Sequence, residues 1–333
     1  MTTSAPATAK RRRIMAGMRP SGQLHVGHWL GALQNFISLT EHNDCFYEVA
    51  DLHALTTKFA HSREIARDTR EMVVDWLAAG LDPSRCTIFV QSRVPEISEL
   101  AVLLGMITPV SWLERVPTYK DQIAALGPEI ATHGFLGYPV LQTVDIIAFK
   151  GQAVPVGQDQ LPHLELCREI VRRFNHLYGQ VLVEPDAVLS RTPAVPGLDG
   201  RKMSKSYDNS ILLADSDEQT LAKVKTMFTD PAKIHKSDPG HPEICPVFFF
   251  QETFNANNAA EIAQRCRTGK LGCVEDKADM AKHLNAALAP LRERRRMIEA
   301  KPSLIDEVLE DGKARARTVA QQTLAEVRTA IGL

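Results

Sequence analysis

Two short segments of the chain hold residue types suited to phosphate chemistry: His25-Val26-Gly27-His28 near the start and Lys202-Met203-Ser204-Lys205-Ser206 in the middle. Two imidazoles at the opening of a helix, beside free backbone N–H groups, make an anion site, and Gly27 lets a purine or ribose lie against the backbone. Lys202 and Lys205 each present a compact charge and Ser204 and Ser206 add hydroxyl donors, as suits neutralising a departing pyrophosphate. The order and separation of the segments predict two halves of one nucleotide site, each bringing positive charge and donors to a triphosphate. Read alone, the histidines could cap a helix or bind a stray metal, and the Lys/Ser stretch could be a solvated loop. No acidic or thiol partner near the histidines completes a metal set, and each segment strengthens the reading of the other.

Such a site needs elements to hold it. Short β-branched or aromatic runs alternate with long amphipathic segments through the first half, the pattern of a parallel sheet flanked by helices. Strands are expected at residues 13–17, about 45–50 and 87–90, with a short one near 154–156. Ser62 should cap a helix that carries Ile65, Met72, Val73, Trp76 and Leu77 on one face and ends at Gly80. Pro95 should precede a helix through 100–107, another should run through 142–149, and a long one should end by Gly179. The Pro/Gly-rich residues 193–200 predict a mobile loop that lets the lysines move. After Ser210 strands largely stop, apart from the Val247-Phe248-Phe249-Phe250 run, and helices are expected at 218–228, 257–267, 277–299 and 304–331. The fold class is therefore α/β, a doubly wound, Rossmann-like parallel sheet followed by a smaller helical domain. The expected division is a loose tail at 1–13, the sheet domain at 14–208 and the helical domain at 209–333.

The 333 residues are 44% hydrophobic, enough for one large or two ordinary domains, and 39 basic against 40 acidic residues leave a formal charge of -1. Any polyanion must then be met by local patches. The opening residues lack the apolar centre of a signal peptide and no run approaches membrane-spanning length, which predicts a cytoplasmic protein with neither membrane nor DNA as partner. Arg11-Arg12-Arg13 reads as solvated tail charge. Six cysteines are too sparse for a secreted disulfide framework, so most are expected to be reduced.

Together the two segments resemble the HIGH and KMSKS motifs of class I aminoacyl-tRNA synthetases. Trp112-Leu113-Glu114-Arg115 before Lys120, Tyr138-Pro139-Val140-Leu141-Gln142-Thr143-Val144-Asp145, Val154-Pro155-Val156-Gly157-Gln158-Asp159-Gln160, Thr229-Asp230-Pro231 and Asp238-Pro239-Gly240-His241-Pro242-Glu243 narrow the resemblance to the bacterial tryptophanyl-tRNA synthetases. It covers nearly the whole chain from Ile14 onward, with intervals that leave no room for an editing insertion.

What the resemblance implies is a two-step reaction. The tryptophan carboxylate attacks the α-phosphorus of ATP, accompanied by Mg²⁺, and the aminoacyl group then passes from the adenylate to tRNA(Trp). By similarity His25 and His28 contact the phosphates, while Lys120, Lys202 and Lys205 hold the β- and γ-phosphates as the bond breaks. Arg19, Pro20 and Ser21 form the loop beneath the triphosphate, and Gly157, Gln158 and Asp159 receive the ribose. Gly27, Val195, Met203, Ser204 and Ser206 complete the ATP set. In the amino acid pocket Asp145 accepts the indole N–H, Tyr138 and Gln160 hold the α-ammonium group, and Met15 and Gly17 shape an apolar slot. Homodimers are implied too, with Leu100, Val102, Leu103, Leu104 and Met106 as candidate interface residues.

Three rival readings share parts of this pattern. Tyrosyl-tRNA synthetases have both motifs and a Gln-x-x-Asp that Gln142 and Asp145 satisfy, but a phenol site pairs the aspartate with a tyrosine of the first strand, which is absent here. Nucleotidyltransferases share the histidine motif, yet lack the helical tail and the Lys-Met-Ser-Lys-Ser loop. A non-catalytic synthetase-like paralogue would bind tryptophan or RNA without needing His25, His28, Lys202 and Lys205 intact. In the helical domain Arg292, Arg294, Arg295 and Arg296, with Lys313, Arg315 and Arg317, are plausible anticodon contacts, against the alternative of solvated helix faces. Cys245, Cys266 and Cys273 follow the spacing of an iron–sulfur set found in some of these enzymes, but Asp276 stands where the fourth cysteine belongs. The missing thiolate predicts a vestigial, metal-free arrangement, with a weakly held iron–sulfur cluster on three thiolates and one carboxylate, or zinc, as the alternatives.

Overall fold

Short apolar runs that are too brief to bury a helix face are instead satisfied by lateral pairing, and here five of them form one parallel sheet. The computed structural model describes residues 11–189 and 194–333. The strands are β1 (Arg13–Met18), β2 (Asp44–Val49), β3 (Cys86–Val90), β4 (Ala153–Val156) and β5 (Asp186–Leu189), in the order β3-β2-β1-β4-β5. The first strand is central, and the winding reverses between it and β4, the place where such sheets bind ligands beyond their carboxyl ends. The expected doubly wound class is what forms. β5 is an addition to the expected strands. It is a four-residue edge strand with both outer residues exposed, held by its pairing with β4, so periodicity gives it no signal.

After β1 the chain crosses a loop and enters α1 (Val26–His28), a π-helical stretch (Trp29–Leu33) and α2 (Gln34–Thr40) as one rod. Then follow α3 (Asp51–Lys58), α4 (Ile65–Ala79), α5 (Pro95–Gly105), α6 (Val110–Glu114), α7 (Pro117–Leu126), α8 (His133–Ile147) and α9 (Leu161–Tyr178). Pro95 occupies the first turn of α5, where a missing N–H costs nothing, and Gly80 ends α4 at φ +109°. Ser62 does not cap α4. Residues Phe59–Glu64 form a 3₁₀ turn instead, and α4 begins at Ile65 without a side-chain cap.

The remaining helices are α10 (Asp217–Thr226), α11 (Pro246–Phe254), α12 (Ala256–Arg267), α13 (Cys273–Glu299) and α14 (Ser303–Ile331). The aromatic run at 247–250 is therefore helical and not a strand. Val247 and Phe250 are buried and three apart, which is one face of a helix, while Phe248 and Phe249 are partly exposed. Gln251, Asn255 and Asp276 make a buried hydrogen-bonded set that ties α11 to α13, with Gln251 Nε2 donating to Asp276 Oδ1 at 2.8 Å and Asn255 Nδ2 to Gln251 Oε1 at 2.9 Å.

The last two helices return to the sheet domain: α13 packs along α4, and α14 lies on β3 and α5. At Gly312 the approach is so close that a Cβ would meet the carbonyl of Ile88 at 1.7 Å, so only glycine fits. The basic residues expected to reach an anticodon mostly serve this packing. Arg295 is 4% exposed and pairs with Asp75, Glu71 at 2.5 Å and Glu299 at 3.0 Å. Arg294 donates to the carbonyl of Ala78 at 2.6 Å, Arg315 to that of Pro83 at 2.8 Å, and Arg317 pairs with buried Glu96 at 2.7 Å. Arg292 donates to Thr220 Oγ1 at 2.8 Å and pairs with Asp217. Arg296 and Lys313 pair with Glu293 and Glu310 on their own helices. Because they sit where helices meet, these charges satisfy buried carboxylates and carbonyls.

At the other end, the expected tail lies outside the described residues up to Lys10. Arg11 and Arg12 are exposed as expected and Arg13 is half-buried, and all three are tied down: Arg12 reaches Asp186 at 2.6 Å, Arg13 reaches Asp44 at 2.8 Å and Arg11 donates to the carbonyl of Glu41 at 2.9 Å. Of the candidate interface residues, Leu100 and Leu104 are buried within the chain, whereas Val102 and Met106 are 57% and 78% exposed.

Removing Arg295 alone would strand Asp75, which has no solvent exposure. The expected cost of R295M is about 3–5 kcal/mol in urea unfolding. The double variant D75N/R295M should recover part of that loss, because no buried carboxylate is left unpaired. Charge reversal at Arg295 should abolish adenylate formation and aminoacylation together, by a folding defect that circular dichroism will register.

Candidate active site

The loop between β1 and α1 is fixed before any ligand arrives. Leu24 N donates to Asp75 Oδ2 at 2.6 Å, Val26 N donates to the carbonyl of Ile211 at 2.9 Å, and Leu213 N donates to that of Leu24 at 2.8 Å. The backbone just beyond the lysine segment thus lies against the backbone of the histidine segment, and the two motifs meet as their order implied.

Within the first motif His25 caps α1. Its Nδ1 accepts from His28 N at 3.2 Å, His28 Nδ1 accepts from His25 N at 3.4 Å, and the rings stack with centroids 3.7 Å apart. With both Nδ1 atoms accepting, each proton sits on Nε2 and both rings are neutral. Burial, then the Lys205 charge, lowers His25 to about 4. Burial, then the charge of a protonated His25 and of Lys205 beside it, lowers His28 to about 3. The expectation that this motif supplies positive charge is therefore corrected: it supplies neutral Nε2–H donors. Gly27 is also required by packing. A Cβ there would meet His25 Nδ1 at 2.9 Å and Met203 Cβ at 3.5 Å, so the missing side chain makes room for the histidine ring and the second motif.

Positive charge comes from the second motif. Lys205 Nζ donates to the carbonyls of Ser21 and of Gln23, the latter at 2.6 Å, and burial lowers its pKa. Lys202 is exposed, and Ser204 and Ser206 share a hydroxyl contact of 2.7 Å. Pro193 lies outside the described residues, but from Ala194 onward the segment is docked and not open. Met203 and Val195 are buried, with Met203 N donating to the Val195 carbonyl at 2.8 Å. Asn209, 2% exposed, holds the turn: its Oδ1 accepts from Ser204 N at 2.8 Å and its Nδ2 donates to Asp199 Oδ1 at 2.7 Å and to the Lys202 carbonyl at 3.2 Å. Nothing in the sequence pattern singled out Asn209.

A cavity of about 670 Å³ opens from the same loop at Arg19, and no residue of either motif lines it. Met15, Gly17, Tyr138, Asp145 and Gln160 all line it, as do Arg19 and Asp159. Pro20 is buried beneath the loop, and Gly157 opens the turn at Gln158–Gln160, where a Cβ would collide with Asp159 Oδ1 at 2.6 Å. Lys120 is not brought in. It is exposed on α7, whose Pro117, Thr118, Asp121 and Gln122 line the cavity instead. Tyr138 bonds His163 Nε2 through its hydroxyl, and burial raises its pKa.

Asp145 is held by two side chains that sequence reasoning missed. Gln91 Nε2 donates to its Oδ1 at 2.7 Å and His53 Nε2 lies 2.8 Å from its Oδ2. A third, Glu48, lines the cavity from β2. The available signal was a lone carboxylate inside the otherwise apolar run Cys45-Phe46-Tyr47-Glu48-Val49, since such strands are buried on both faces.

The cysteine set does not fit a cluster as it stands. Among the described residues no three of His, Cys, Asp or Glu are arranged to hold a metal ion. Burial raises the thiols of Cys245 and Cys266 and the carboxyl of Asp276, each against the anionic form a metal needs. Cys273 opens α13 nearby, and Asp276 is already bonded to Gln251.

The family described as tRNA synthetases class I (W and Y) matches residues 8–289. A tryptophan–tRNA ligase of Thermotoga maritima is 48% identical over 96% of this chain and 99% of its own length. One of Aquifex aeolicus is 44% identical over 96% of this chain and its full length. Among solved structures, the tryptophanyl-tRNA synthetase of Campylobacter jejuni complexed with ADP and tryptophan superposes with a TM-score of 0.88 at 32% identity, covering 96% of this chain and 100% of that one. A tyrosyl-tRNA synthetase of Archaeoglobus fulgidus superposes with a TM-score of 0.66 at 24% identity, a likeness of fold.

The histidine pair makes a measurable prediction. In the unfolded chain each ring binds a proton near 6.5, but in the folded chain only near about 4 and about 3. The unfolded state therefore holds more protons between these values, and the pair withdraws stability as pH falls from 6.5 toward 4. Nitrogen chemical shifts of both rings should stay neutral at pH 5.5, and H28N should flatten the fall in Tm over that window. A ring titrating near 6.5 would contradict the capped, neutral pair.

Proposed function

The chain belongs to the class I tRNA synthetases for tryptophan and tyrosine, and we propose that the cavity opening from the loop that Lys205 holds is where it activates tryptophan. It is a tryptophan–tRNA ligase: ATP and tryptophan give the adenylate and pyrophosphate, and tryptophan then passes to tRNA. The observation that carries the proposal for this site is the union in one cavity of Met15, Gly17, Tyr138, Asp145 and Gln160, with Arg19 joining it to the loop whose Ser21 and Gln23 carbonyls Lys205 holds.

The attacking tryptophan carboxylate is already a nucleophile, so the protein's task is positioning and charge stabilisation without a covalent enzyme intermediate. ATP enters as its Mg²⁺ complex, the metal arriving with the substrate. His25 and His28 offer neutral Nε2–H donors to the phosphates, and Lys202 and Lys205 meet the charge that gathers on the departing pyrophosphate. For Lys205 this requires leaving the carbonyls of Ser21 and Gln23, so the docked state is the resting one. Arg19 and Asp159 flank the cavity toward phosphate and ribose, and Met15 and Gly17 leave the slot broad enough for an indole. Asp145 faces the ring N–H, and Tyr138 and Gln160 face the α-ammonium group. Tyrosine-specific relatives share the fold, but β1 contributes no tyrosine to the pocket.

tRNA(Trp) is the macromolecular partner we assign. We further propose a cytoplasmic homodimer, supported by exposed Val102, Met106 and Val110 on consecutive helices. Among the described residues no helix is long and apolar enough to cross a membrane.

Pyrophosphate exchange with tryptophan, tyrosine and phenylalanine, followed by charging of tRNA(Trp), tests the reading. Tryptophan alone should support exchange, and none with tryptophan would favour a non-catalytic paralogue. K205M should lose about 2.7–4 kcal/mol of transition-state stabilisation, read as a fall in kcat/KM for exchange, with tryptophan affinity nearly unchanged.

A further inference from the structure

Tyr138 of α8 and His163 of α9 meet at the wall of the cavity, the phenol hydroxyl hydrogen-bonded to His163 Nε2 and the ring centroids 5.6 Å apart. His163 is 4% exposed, and its other ring nitrogen, Nδ1, is buried without a partner. A buried ring with one nitrogen unsatisfied gains little stability from its polarity, so the contact with Tyr138 is the reason for an imidazole at this place. Burial lowers the pKa of His163 despite the nearby Asp159 carboxylate, and burial raises that of Tyr138. The imidazole is therefore neutral, with one N–H and one bare nitrogen, and the phenol keeps its hydrogen. An ammonium group settles which way their bond runs. It can only donate, so a hydroxyl that receives it must accept and point its own hydrogen elsewhere.

We propose that His163 is a positioning residue for the amino group of tryptophan: with Nδ1 protonated, its bare Nε2 takes the Tyr138 hydroxyl hydrogen and leaves a phenol lone pair for the α-ammonium group. The assignment rests on the reading of Tyr138 as an ammonium ligand, and adds the group that fixes the direction of its hydrogen bond. No proton changes hands. Without an acceptor at Nε2 the hydroxyl hydrogen is free to turn toward the ammonium group, donor against donor. Gln160, also read as facing that group, stands three residues before His163 at the start of α9, and both line the cavity.

Two measurements test this. Nitrogen chemical shifts of the His163 ring in the tryptophan complex should show a protonated Nδ1 and a bare Nε2. In pyrophosphate exchange, H163L should raise KM for tryptophan about tenfold, with KM for ATP and inhibition by indole-3-propionate, which lacks the amino group, changed less than about twofold. H163Q offers an acceptor oxygen and should recover most of the loss. In a Y138F background H163L should add less than about twofold, because the hydroxyl it acts through is gone. A KM for tryptophan in H163L within about twofold of wild type overturns the proposal, as does an equal loss for indole-3-propionate, which would mean a structural role. So do independent, multiplying losses from Y138F and H163L, or H163Q behaving like H163L. A hydrogen on Nε2 in the tryptophan complex overturns it too, since the hydroxyl hydrogen then goes to another acceptor such as Thr118, which also lines the cavity. Y138F with an unchanged KM for tryptophan would instead sink the ammonium reading of Tyr138, and no exchange with tryptophan by wild type the tryptophan reading, each taking this proposal with it.

Discussion

One buried carboxylate holds the site and the scaffold in the same grip. Asp75 in α4 takes the Leu24 N–H through Oδ2, one residue before the histidine motif, and the Arg295 guanidinium of α13 through Oδ1. A helix near the end of the chain is thereby fixed to the loop that opens the first motif. Burial pushes Asp75 up to about 6 even with Arg295 beside it. Burial also works against Arg295, but the Asp75 and Glu71 charges outweigh it and raise its pKa. Both values rise, which disfavours the charged form of Asp75 and favours that of Arg295, because Arg295 meets three carboxylates and Asp75 a single cation. A raised carboxyl contributes most below its unfolded pKa and loses that contribution as pH climbs through about 6, so at neutral pH the charged pair is not a net source of stability. Its value lies in geometry, since no other arrangement satisfies both the loop N–H and the guanidinium.

The same division between placing groups and supplying charge runs through the nucleotide side. The histidines cap each other and stay neutral, so the helix opening is rigid but uncharged. Lys205 brings the charge, and in the resting arrangement spends it on the Ser21 and Gln23 carbonyls. An ATP phosphate that takes Lys205 must displace those bonds, which couples substrate arrival to movement of the second motif. Asn209 sets how that movement is hinged, because it binds the segment at Asp199, Lys202 and Ser204 at once.

The legible part of the molecule was the part written in local pattern. Apolar runs gave four of the strands, Pro95 and Gly80 marked helix ends, and the paired motifs do meet through backbone bonds. What was missed depends on distant partners. Ser62 has capping chemistry but stands in a 3₁₀ turn, the 247–250 run has strand composition but helical burial, and β5 exists only because β4 pairs with it. Arg292, Arg295 and Arg317 look like parts of a polyanion surface until their carboxylate partners, each more than 70 residues away, are seen. The histidines' charge state was unreadable for the same reason, being set by burial and by the positive charge of Lys205 from the second motif.

The pocket's chemistry follows from its position on the sheet. Strands buried on both faces favour apolar side chains, so polar recognition is concentrated where a carboxyl can reach past the strand end into a cavity. Glu48 of β2 lines it in register with Gly17, where a side chain would crowd the Glu48 carboxyl. Asp145 comes from α8 and is oriented by Gln91 after β3 and His53 in α3. A pocket built this way rejects a wrong ring chiefly through the polar groups that ring would leave unpaired, and less through the shape of its apolar walls.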